Sequence, residues 1–162
     1  MLTGLLVGCL VFATSLPARA ALGADAGSIE SDVAAMQGTM APAATQAAET
    51  STAGSENSAP YEVKSFVTPT GTTVREYVAA SGKVFGVGWQ GHRPPDLSIL
   101  LGSHYSEYTS AAARRIHHDM HRSMTTLPDT VVVMAGHMGH VAGHAYVPSL
   151  VPAGLDPKAV VK

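Results

Sequence analysis

The chain has 162 residues, room for one domain plus extensions, and a net charge of -2 that conceals an asymmetry. Residues 21–60 hold only acids (Asp25, Glu30, Asp32, Glu49, Glu56), whereas from Tyr61 onward Lys and Arg outnumber Asp and Glu, and all 8 histidines lie between His92 and His144. That modest basic excess argues against nucleic acid, which calls for a strongly basic stripe, and the single cysteine, Cys9, excludes a disulfide within the chain.

The first predicted element is a leader. Leu5 to Ala13 is apolar, Ser15 to Pro17 breaks it, and Ala18-Arg19-Ala20 forms an A-x-A box. These features predict a signal peptide over 1–20, cut after Ala20, and a periplasmic or secreted product. The run falls short of the roughly 20 apolar residues that a spanning helix needs, so no transmembrane segment is expected in the mature chain. Met1 to Gly4 lacks the usual basic residues, which points to a true start codon upstream. Leu6-Val7-Gly8-Cys9 is like a lipoprotein box, but little sequence precedes Cys9 and more apolar sequence follows it. Cleavage after Ala20 removes the only thiol, and with it thiolate catalysis and cysteine-based zinc binding.

Residues 21–60 read as a flexible acidic linker, because Ala, Ser, Thr and Gly have little to bury against the entropy of ordering. A folded domain is expected over 61–154, with a tail at 155–162 in which Val160 and Val161 can tuck inward. Tyr61 to Val67 alternates as a strand. Pro69-Thr70-Gly71 supplies a turn, Thr72 to Ala79 a second strand, Ser81-Gly82 a tight turn, and Lys83 to Gln90 a third strand. Regular alternation puts Phe85, Val87 and Trp89 on one face as core, with Gly86 and Gly88 on the other, where something packs closely. Arg75 and Glu76 point to opposite faces, each expected in a cross-strand ion pair.

Asp96 is placed to cap a helix whose stripe runs Leu97, Leu100, Leu101, Tyr105, Tyr108, Ala112, Ile116, with a break at Gly102-Ser103. Pro128-Asp129 turns into a hairpin of Thr130 to Ala135 and His140 to Val147. The fold class expected is therefore α+β: a small antiparallel sheet made of a three-strand meander, a helix and a C-terminal hairpin, after a disordered N-terminal linker.

Three blocks, Gly71 to Tyr77 (GTTVREY), Gly82 to Gly91 (GKVFGVGWQG) and Pro95 to Gly102 (PDLSILLG), resemble a family of exported Gram-negative bacterial proteins known as domain of unknown function 2844. The likeness continues through Gly136-His137-Met138, Ala142-Gly143 and Ala145 to Pro148, and covers roughly Tyr61 to Gly154. The resemblance implies an exported protein and carries over no activity, ligand or catalytic residue. In the family pattern, positions 140 and 144 are more often basic than His.

Chemistry-bearing groups are sparse. There is no G-x-S-x-G, no thiol in the mature chain and no carboxylate pair in the domain. Gly86-x-Gly88-x-x-Gly91 has dinucleotide spacing but leads into Pro94-Pro95 rather than a helix. The sharpest pattern is His and Met. A helix continued past Ile116 would align His117, Met120, His121 and Met124, and a second group (Met134, His137, Met138, His140, His144) surrounds the hairpin. Imidazole and thioether suit copper. Against this, Met at helical spacing commonly fills core gaps. The reading is thus an exported, non-catalytic envelope binding or accessory module without a cofactor, with another envelope protein as partner. The alternative is a periplasmic copper or zinc binder using His117, His121, Met120, Met124, His140 and His144.

Overall fold

The structure, a computed structural model, describes residues 22–42, 61–114 and 122–161. Its centre is one antiparallel sheet of seven strands in the order β1-β2-β3-β4-β7-β6-β5. The strands are β1 Thr39–Met40, β2 Tyr61–Val67, β3 Thr73–Ala79, β4 Val84–Gly91, β5 Arg122–Thr126, β6 Val131–His137 and β7 His140–Tyr146. Helices are α1 Ile29–Ala35, α2 Leu97–Leu101, α3 Tyr105–Ala113 and α4 Pro157–Val160. The α+β class stands; the sheet is larger than a meander plus hairpin, because β1 and β5 extend it at its two edges.

The first face of the sheet is covered by α2 and by residues from the supposed linker. Leu22, Ile29 and Val33 join Phe66, Val74, Val87, Trp89, Leu100, Leu101 and Val132 in one core. Ile29 and Val33 are four apart and so share a face of α1. The backbone of this segment is also tied to β4, through Gly23 N to Val84 O at 2.8 Å and Val84 N to Ala24 O at 2.9 Å. Residues 22–42 are therefore part of the folded unit, not linker; 43–60 lie outside the described residues. Asp96 caps α2 as expected, accepting from Ser98 N at 2.9 Å, and Gly102 breaks the helix at φ 48.

The second face is half covered. Tyr61, Val63, Tyr77, Phe85, Val131 and Tyr146 form a second cluster under Leu150, Val151, Leu155, Val160 and Val161. A β-bulge creates it: Val78 pairs with Val84 and Tyr77 with Gly86, leaving Phe85 as the extra residue. Phe85 is thereby moved off the face of Val87 and Trp89, correcting the regular alternation read from the sequence. Gly86 does mark a close approach, since a Cβ there would stand 2.7 Å from Val161 Cγ2. The C-terminal residues thus belong to the domain, with Val161 fully buried.

Candidate functional site

Beyond that lid the second face carries polar side chains in two cross-strand rows. One runs Ser65, Arg75, Gly88, His144, Val133, Met124; the next runs Val67, Thr73, Gln90, Ala142, Ala135, Arg122. At the end of the β6–β7 hairpin His137 pairs with His140. No Asp or Glu occurs among the described strand residues of this face, whereas Glu62, Lys64 and Glu76 all point to the other.

A short turn, Met138-Gly139, closes the hairpin, with Gly139 at φ 84 supplying the left-handed position. The turn brings the His137 and His140 rings together, stacked with centroids 5.6 Å apart. His137 therefore shares a side with His140, because residues opposed across an antiparallel pair project to the same face. Gln90 Nε2 lies 3.4 Å from His140 Nε2. His92 Nδ1 donates to the Gly139 carbonyl at 2.8 Å, so that nitrogen carries the proton and ties the β4 end to the hairpin tip. His144 stacks on Tyr146 at 6.4 Å. Burial, and then the nearby Arg122 guanidinium, hold the His144 pKa below its usual value. The result at the β4–β7–β6–β5 end is a surface of the Arg122 guanidinium, three imidazoles and the Gln90 amide, with Met124 and Met138 exposed beside it.

The His/Met set is only partly brought together. Met124 lies on β5, not on a continuation of α3, so it cannot share a helix face with His117, Met120 and His121, which lie outside the described residues. Met124 and His144 sit in one row with Val133 between them, two strand spacings or about 10 Å apart. His140 and His144 are four residues apart on one strand, about 13 Å. Among the described residues no three His, Cys, Asp or Glu side chains converge to hold a metal ion.

Glu76 departs from the ion pair expected of it. Lys64, its cross-strand neighbour, turns to Glu62 at 2.6 Å. Glu76 is fully buried and neither carboxyl oxygen makes a hydrogen bond. Burial, and then the Asp32 carboxyl of α1, push it well above the ordinary carboxylate range. Reading 21–60 as linker hid this approach of two acids; the spacing of Leu22, Ile29 and Val33 is the signal that could have revealed it.

No helix among the described residues is long and apolar enough to cross a membrane. Residues 18–160 match the model of a family described as a protein of unknown function, DUF2844. No curated protein and no solved structure matches the chain.

Proposed function

The chain belongs to the DUF2844 family of proteins of unknown function, and from that premise we propose that it is an exported, non-catalytic binding module that docks an acidic surface of another envelope protein. The observation that carries this reading is the acid-free half-face bearing Arg122, His137, His140, His144 and Gln90 on rigid strands. A guanidinium with imidazoles, on a face whose described strand residues include no carboxylate, attracts anionic groups and steers their approach. Side chains on paired strands lose little freedom on binding, which favours recognition over a loop surface of equal charge. The A-x-A box after an apolar run supports export.

The test is fluorescence anisotropy with a labelled poly-glutamate peptide. Arg122→Gln combined with His140→Ala and His144→Ala is expected to weaken binding by about tenfold or more, the equivalent of losing one or two charge-assisted contacts. Lys64→Ala, on the opposite face of the sheet, leaves it unchanged. Equal loss in both variants would show only non-specific charge attraction and remove the assignment.

A further inference from the structure

A concave site lies at the other end of the same face. The segment Thr39 to Pro42 runs beside β2, held by β1 pairing and by Ala41 N to Ser65 O at 2.9 Å. Between this segment and β3 is a groove of about 430 Å³ lined by Met40, Pro42, Ser65, Val67, Thr73 and Arg75, among others. That volume falls within the range of small-molecule sites. Its lining combines an apolar wall with convergent donors. Ser65 and Arg75 are direct cross-strand partners and Thr73 is on the same side of β3. Ser65 is 1% exposed and its Oγ makes no hydrogen bond. A buried hydroxyl left in that condition gains from any acceptor that reaches it. Among the described residues no Asp or Glu lines the groove.

We propose that this groove binds a small amphipathic carboxylate. Its head group lies against the Arg75 fork and the hydroxyls of Ser65 and Thr73, and its short hydrocarbon body against Ala41, Pro42 and Val67. A guanidinium offers five N–H donors, so an existing contact of Arg75 leaves others for a bidentate carboxylate. The anion, rather than a neutral alcohol, is selected by that charge; the apolar wall selects against small hydrated ions such as acetate.

The site is independent of the histidine half-face, and the experiment keeps the two apart. Amide chemical shifts of the full chain are followed on titration with hexanoate, with hexanol and acetate as comparisons. Hexanoate is expected to produce saturable shifts at Thr39 to Ala41, Ser65 to Val67 and Thr73 to Arg75, with hexanol and acetate weaker by about tenfold or more. Arg75→Gln and Ser65→Ala weaken hexanoate, while Arg122→Gln, which lowers poly-glutamate binding, leaves it unaltered. The same spectra report whether each variant is folded, and if Arg75→Gln is not, Ser65→Ala and the hexanol comparison decide. Absence of saturable shifts, shifts elsewhere, or equal binding of hexanol would overturn the proposal.

Discussion

The Trp89 indole lies flat across Gly143 on the neighbouring strand, so close that a Cβ at position 143 would stand 2.4 Å from Cζ2. Trp89 is fully buried and bounded by the first-face core, so it has nowhere to retreat. Gly143→Ala is therefore expected to destabilise by about 1–3 kcal/mol or more, the usual cost of overpacking. Gly27→Ala, where the added methyl meets nothing within 4 Å, is expected to stay within about 0.5 kcal/mol of the parent. Urea unfolding of both variants checks this, and equal midpoints would contradict the packing described.

Burial of Glu76 beside Asp32 makes stability depend on pH in a defined direction. The folded state holds the Glu76 proton more tightly than the unfolded chain does. Folding through this group is thus favoured at low pH and loses ground as pH rises above the unfolded value near 4.5. Glu76→Gln cannot ionise, so it is expected to gain on the wild type progressively from pH 4.5 toward neutrality. Among the described residues the charged groups facing Glu76 are Asp32 from α1 and Lys64 from β2, the latter engaged with Glu62, so none of these cations is left to offset the penalty. Parallel pH–stability curves for the two proteins would refute the placement of this side chain.

The C-terminal residues act as a lid over Phe85 and Tyr77. Val161→Ala removes two fully buried methyl groups, a loss of about 1.5 kcal/mol at roughly 0.8 kcal/mol each. Thermal unfolding of this variant distinguishes a packed lid from a free tail, for which no change would be seen.

How much of this was legible in the sequence follows from which signals are local. The strands of the meander and the hairpin announced themselves by alternation and turn residues, and Asp96 by its position before Leu97. Phe85 did not, because a bulge depends on how β3 and β4 pair rather than on β4 alone. β5 escaped because Arg122-Ser123-Met124-Thr125-Thr126 is mostly polar and exposed; it is a strand by virtue of its pairing to the buried β6. The same long-range pairing assembled the candidate surface. His140 and His144 were visible as residues of one strand, but Arg122 and Gln90 reached them only through the sheet register.

Acid should strengthen the proposed docking. The His144 imidazole gains its charge as pH falls, at a lower pH than an ordinary imidazole because burial and then Arg122 hold its pKa down. A partner's carboxylates stay ionised until about pH 4.3. Poly-glutamate affinity is therefore expected to rise as pH falls below about 6.5, and the rise is expected to shrink in His144→Ala. A flat profile would mean that the His144 imidazole does not face the bound anion.

The most direct test of the docking surface is amide chemical-shift mapping with the acidic peptide bound. The account predicts perturbations confined to the exposed half of the second face, from Gln90 through Ala142, His144 and Ala135 to Arg122. Perturbations centred on α3 or on the covered first face, or none at saturating peptide, would contradict it.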